Sequence, residues 1–314
     1  MRSFLAALLF CSAVAVPAAA APAAKPADLA GAVAKRLASR LGVPVKIGEL
    51  VYRLFQGTFV VGNLRIGPAG APFLSLGSAE IRLASIRNRR HLSSLEASNA
   101  RARVPLAWLT RRIRRRLPAT EALSLNDLRL DKARVVVVDG ARRALSVEGL
   151  SVRGSGLKVS SARVGQLPKA SGQLRIKARR AQLGAIEASD IEIVARLDAH
   201  GLTVELLEAK ILGGKVSLSG RVPLRGLVIG RINLRGNARV QPQGKGSPRW
   251  AGSVTLGGTL RGGVRLRGRL HRVGGSGKVT PAKGSAPKAP KLRLDVRLGK
   301  RHRLRGTLAR WTLR

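Results

Sequence analysis

This sequence is short of four things, and each shortage narrows what the protein can be. Cysteine comes first: of 314 residues only Cys11 carries a thiol, so the chain forms no internal disulfide and no thiolate metal site. Aromatic residues make up 3%. That is too few for an aromatic-rich core, and too few for the stacking platforms with which single-stranded nucleic acid is held. Acidic residues are scarce as well, at 16 against 59 Lys and Arg, a formal net charge of +43. Long apolar runs are the fourth. Beyond the opening residues none approaches the roughly 20 that a membrane-spanning helix needs.

Catalytic patterns are missing too. The four histidines, His91, His200, His271 and His302, stand apart and have no carboxylates at ligand spacing. There is no H-E-x-x-H, no G-x-S-x-G and no phosphate-cradling glycine loop opening a helix. No catalytic residue, metal site or cofactor is assigned, and the expectation is a binding protein, not an enzyme. Asp190 and Glu192 sit two apart, and beside Arg179, Arg180 and Arg196 they read as solvated charge pairs.

The opening residues have the composition of an export signal. Arg2 supplies a basic start, Phe4 to Val16 is an apolar run of 13 residues, Pro17 ends it, and Ala18-Ala19-Ala20 offers a small-residue cleavage site. Residues 1–20 are therefore read as a secretory signal, with an uncleaved anchor as the other reading. Phe10 before Cys11 argues against a lipoprotein acylation site. Residues 21–27, rich in Ala, Pro and Lys, read as a linker.

What the sequence has in abundance is two-faced strands. In Lys291–Leu298, K-L-R-L-D-V-R-L, the apolar Leu292, Leu294, Val296 and Leu298 alternate with charged residues. Successive strand side chains point to opposite faces, so one face is greasy and the other charged. Gly263–Leu270 (G-V-R-L-R-G-R-L) and Lys215–Val222 (K-V-S-L-S-G-R-V) repeat the pattern, and similar strands are expected from Val43 onward. Such a face must be covered. With few helices available, either the sheet closes on itself or the face takes a greasy ligand.

Two helices are expected. Asp28 reads as the N-cap of one, with Leu29, Val33, Leu37 and Leu41 at i+4 spacing before Gly42. The other spans Pro105–Leu117. There Leu106, Leu109, Ile113 and Leu117 have helical spacing, while Trp108, Arg111, Arg112, Arg114, Arg115 and Arg116 form a basic, amphipathic remainder. Such a helix suits an anionic membrane surface, or packs on the sheet as a connector. Residues 274–290 form a Gly/Ala/Pro/Lys insert. Short punctuated pieces recur, as in Asn63-Leu64-Arg65-Ile66, Asp127-Leu128-Arg129-Leu130 and Gly149-Leu150-Ser151-Val152, with Gly supplying positive φ at turns or bulges. From Gln241 to Arg314 there are 19 Lys and Arg and one acid, Asp295. That field favours anionic partners: nucleic acid, an anionic leaflet or an acidic polysaccharide. The aromatic shortage and the export signal speak against the first.

The residues P-V-K-I-G-E-L and L-F-Q-G-T-F-V-V-G-N-L-R-I within Pro44–Ile66, after a helix ending in L-G, resemble the start of AsmA-like and TamB-like proteins. E-A-K-I-L-G-G-K-V-S-L-S-G-R-V (Glu208–Val222) and R-G-G-V-R-L-R-G (Arg261–Gly268) resemble the glycine signature of their C-terminal region, and Leu123–Asp139 their strand-turn-strand rhythm. The resemblance implies an elongated, taco-like β-groove with a greasy interior, and periplasmic lipid transfer or support of outer-membrane biogenesis. Members usually begin with a spanning helix, and the bridge-forming ones are much longer; this chain departs on both counts.

The expectation is thus a mainly β protein: a curved antiparallel sheet with one N-terminal and one short basic helix. Residues 28–240 would form the helix and groove, and 241–314 the basic C-terminal strands. Val216, Leu218, Val264, Leu266, Leu292, Leu294, Val296 and Leu298 are the lipid-groove candidates. Trp108 and the Arg111–Arg116 run are the candidates for anionic membrane contact. Phospholipid or another lipid, an anionic leaflet and an envelope protein are the expected partners. The other reading is a secreted β-solenoid that binds acidic polysaccharide, cell wall or another anionic surface over a dry core.

Overall fold

The alternation becomes strands along most of the chain. The computed structural model describes residues 26–85, 90–105, 122–139, 142–161, 169–183, 186–211, 214–225, 228–241, 248–259, 263–274, 282–285, 292–298, 302–307 and 310–313. The expected export signal, the basic helix with Trp108 and Arg111–Arg116, and residues 275–281 and 286–290 of the expected insert lie outside those residues, whereas Ala282–Ser285 of that insert is a strand. One α-helix is present among them, α1 (Pro26–Leu41). It is not long and apolar enough to cross a membrane.

The first strands are β1 (Val45–Lys46), β2 (Glu49–Arg53), β3 (Thr58–Ile66), β4 (Leu74–Leu83), β5 (His91–Ser98) and β6 (Arg101–Pro105). The long β7 (Leu123–Asp139), β8 (Arg142–Val159), β9 (Ala170–Leu183), β10 (Ile186–Asp198), β11 (Gly201–Ile211) and β12 (Gly214–Arg225) follow. Then come β13 (Val228–Ile229), β14 (Ile232–Val240), β15 (Arg249–Thr259), β16 (Gly263–Gly274), β17 (Ala282–Ser285), β18 (Leu292–Leu298), β19 (His302–Thr307) and β20 (Arg310–Leu313). Among the ladders between described residues whose register is defined, pairing is antiparallel except where β5 meets β7 and β16 meets β18. A parallel pair requires a crossover of a dozen or more residues, and each of these pairs is separated by one in the chain.

The chain divides into two compact units. Unit 1 comprises residues 1–104, 113–135 and 150–173; unit 2 comprises 105–112, 136–149 and 174–314. The boundary expected at 240/241 falls inside unit 2, between β14 and β15, which pair from Ile232↔Gly258 to Val240↔Trp250.

In unit 1, α1 packs on β1 and β2 with Val33 and Leu37 almost wholly buried. β1 and β2 share one edge of β3 in a single register, interrupted at Ile47 and Gly48. β5 and β6 likewise share one edge of β4, broken at Asn99, whose φ is 54°.

That break recurs and has a clear physical role. Asn63, Asn99 and Lys132 all hold left-handed φ, 52°, 54° and 54°. On β3, Phe59 and Val61 face the core before Asn63, and Leu64 and Ile66 face it afterwards. Strict alternation would put one of these pairs on each face. One left-handed residue resets the phase, so both halves of the strand bury their apolar side. Asn99 is followed by buried Ala100, and Lys132 by buried Ala133. The reset residues lie side by side: Ser98↔Asp131 pairs β5 with β7, and Asn99 N–H donates to the Asp131 carbonyl at 3.2 Å. Where they press on a neighbour, the neighbour is glycine. A Cβ on Gly48 would stand 2.9 Å from Asn63 Cβ, and one on Gly77 3.2 Å from Asn99 Cβ.

Unit 2 uses the same device at Asp190 (φ 50°) and Gly149 (φ 63°), the latter against Arg179. Asparagine, aspartate and glycine tolerate this conformation, whereas a lysine bears a cost of roughly 1–2 kcal/mol. Lys132→Gly is therefore expected to raise stability by about 0.5–1 kcal/mol once the entropy cost of glycine is deducted. Lys132→Val should lower it by about 1 kcal/mol or more. Urea midpoints compared at constant slope would measure both.

Candidate functional site: the apolar face of unit 2

Residues paired directly across a ladder share a face, so the registers of unit 2 show which side chains are gathered. One row runs Val204, Gly220, Leu234, Leu256, Leu266 and Leu294, from β11 to β18. The next runs Leu207, Leu218, Gly236, Val254, Gly268 and Val296. A third runs Ala209, Val216, Ala238, Gly252, Leu270 and Leu298. Ile232, Gly258, Val264 and Leu292 form a fourth. The eight lipid-groove candidates all fall in these rows, on one continuous apolar face. For Val264, Leu292, Leu294, Val296 and Leu298 it is the backbone register that places them.

Reading the sequence strand by strand missed the glycines of this face. Gly220, Gly236, Gly252 and Gly268 recur every 16 residues, and each lies opposite a larger apolar residue. A Cβ on Gly236 would collide with the Ser217 carbonyl, and one on Gly252 with that of Arg269. Glycine is needed because the neighbouring backbone approaches too closely for a side chain, as on the inside of a curved sheet. The 16-residue recurrence was the available signal. It becomes meaningful only once the registers show that the four share a face.

The face is well packed. Val216, Leu218, Leu234, Val254 and Leu270 are between 4% and 7% exposed, in one cluster with Val204, Val222, Ala238, Val240 and Trp250. Leu256, Leu266, Leu202, Leu207, Ile211 and Ile232 are partly buried and border it. No described helix is packed on these strands. The cluster's partly buried margin is where further apolar surface is on offer.

The opposite face is polar and strongly cationic. Arg235 and Arg267 flank Thr255, and Lys215 stands opposite Arg239, with Arg235, Arg239, Arg267 and Arg269 exposed. Two of its acids are engaged. Glu208 pairs with Lys215 at 2.8 Å and Asp198 with Arg221 at 3.6 Å. Asp198 also accepts from the backbone N–H groups of His200 (2.7 Å) and Gly201 (2.9 Å), which hold its carboxyl below its ordinary range. It organises the β10–β11 turn.

Asp190 and Glu192 are ion-paired, but with partners other than the arginines nearest in sequence. Asp190 meets Lys210 at 2.8 Å, an interaction that raises the lysine's pKa. Glu192 meets Arg175 and, at 3.8 Å, Lys177; the Arg175 hydrogen bond is the main cause of its lowered pKa. The left-handed turn at Asp190 changes the strand phase, so spacing of two no longer means one face.

One polar pair was not foreseen. In unit 1, His91 Nδ1 and Ser124 Oγ, on paired β5 and β7, are 2.8 Å apart. Among the described residues, no carboxylate is hydrogen-bonded to His91 to complete a triad. Among the described residues, no cluster of three or more His, Cys, Asp or Glu could hold a metal ion. Compared with known proteins, the chain matches no family model, no curated protein and no solved structure.

Proposed function

We propose that this chain is an exported lipid-binding protein of the AsmA-like kind, which holds acyl chains along the apolar face of unit 2 and serves lipid transfer or outer-membrane biogenesis in the periplasm. The observation that carries the proposal is that one face joins β11 to β18 in continuous apolar rows. An acyl chain laid on that face leaves water, at roughly 0.8 kcal/mol per CH₂. The cationic opposite face suits anionic head groups or an anionic leaflet. The function is binding, with no chemical step.

A second reading draws on the burial itself. Leu218 and Val254 are 5% and 4% exposed through the protein's own packing, as in a dry structural core whose cationic face binds an acidic polysaccharide or cell wall.

The two readings part in one experiment: native mass spectrometry and lipid extraction of protein purified without detergent. Stoichiometric phospholipid is the expected result. A folded, lipid-free protein would transfer the assignment to the dry-core reading.

A further inference from the structure

The end of the unit 1 strands at which β2 turns into β3 carries a side chain that the fold does not use. Phe55 lies in the short 3₁₀ turn Leu54–Gln56 and is fully exposed, at 101% of its reference area. Two other large hydrophobics are exposed among the described residues, Val51 and Val273. Val51 belongs to β2, the strand that leads into this turn. The neighbouring aromatic behaves oppositely: Tyr52 is partly buried and stacks on Phe59 with ring centroids 4.3 Å apart. Phe55 therefore contributes no packing to unit 1.

The surroundings of the turn are cationic. Arg53 ends β2 and is the ladder partner of Thr58, whose partner on its other side is Arg82. Leu83 N–H donates to the Gly57 carbonyl at 2.9 Å, which sets the end of β4 beside the turn. Ala84 N–H donates to the His91 carbonyl at 3.0 Å, which brings the exposed Arg90 to the same end. The local carboxylate, Glu80, is held by Arg82 at 2.9 Å.

We propose that this tip docks unit 1 on an anionic lipid bilayer. Phe55 enters the boundary between head groups and acyl chains, and Arg53, Arg82 and Arg90 meet the phosphates. The chemistry favours a bilayer over a protein partner. A protein hot spot buries its anchor in a pocket ringed by further dry contacts, and here the other large exposed apolar side chain described on β2 is Val51. An interfacial anchor needs only an apolar side chain among cations, next to a negative surface. The proposal does not rest on lipid being held in unit 2.

The test is flotation of the full chain with vesicles of equal parts phosphatidylglycerol and phosphatidylcholine. Phe55→Ala should weaken binding about ten- to a hundredfold, the value of burying one such ring. Because the ring is exposed, its circular dichroism and urea midpoint should not change, and lipid co-purifying with the protein should be retained. A Cys11→Ser, Phe55→Cys chain carrying an environment-sensitive fluorophore at position 55 should report an apolar environment with these vesicles and not with pure phosphatidylcholine. Absence of vesicle binding by the unsubstituted chain would overturn the proposal. So would unchanged affinity of Phe55→Ala, or a label that stays in water while the protein is bound.

Discussion

Inserting one residue between Gly62 and Asn63 is expected to unfold unit 1, whereas Asn63→Gly should leave its stability within about 1 kcal/mol. Asn63 sits between the pairs Gly62↔Ser78 and Leu64↔Leu76 with φ 52°. The insertion adds one step to the alternation of β3 while the left-handed reset stays in place. Leu64 and Ile66, now 1% and 5% exposed, would turn outward and Arg65 inward. Each lost side chain costs about 1.5–3 kcal/mol, and an unpaired buried guanidinium costs several more. The total, on the order of 5–10 kcal/mol, is comparable to the whole stability of an ordinary domain, about 5–15 kcal/mol. Asn63→Val should fall between the two, at about 1–2 kcal/mol, since the phase survives and only the left-handed strain is added. Chemical denaturation of the three variants would check this order. If the insertion variant melted like the parent, the phase-reset account would be wrong.

A second large effect separates two leucines of one face. Leu218→Asp should unfold unit 2, and Leu266→Asp should leave it folded but strip bound lipid. Leu218 is 5% exposed within the packed cluster, while Leu266 is only partly buried at its margin, opposite Leu256 and, by register, Leu294. A carboxylate at 218 has no cation or water to meet. Truncation alone would cost about 2–5 kcal/mol there, and the charge adds to that. At 266 the carboxylate keeps contact with solvent, so the fold tolerates it and an acyl chain would not. Circular dichroism read beside lipid extraction distinguishes the two effects. Lipid retained by a folded Leu266→Asp chain would argue that acyl chains do not use this face.

The placement of strands was legible because alternation is a local property. The run K-L-R-L-D-V-R-L defines a strand wherever it lies, and Leu292–Leu298 is one. The helix of Leu29, Val33 and Leu37 was equally plain, since spacing by four allows one buried stripe. The resets were only partly visible. Asn63 and Gly149 were noticed as punctuators and are left-handed; Asp127 was grouped with them, although on β7 that conformation falls on Lys132. Lysine has no intrinsic preference for positive φ, so nothing local distinguishes it. It takes that conformation because Asn99 on the adjacent strand takes it too.

By itself the sequence determined that the protein is β-rich, cationic and two-faced, because period-two patterning and charge are summed residue by residue. Only the tertiary structure decided that the apolar residues from Val204 to Leu298 form one face, that four glycines 16 apart let neighbouring backbones approach across it, and that Leu218 is covered while Leu266 borders the cluster. Those are questions of register and curvature. A slip of one residue reverses every side chain of a strand, and which residue takes the slip is settled by the strand beside it.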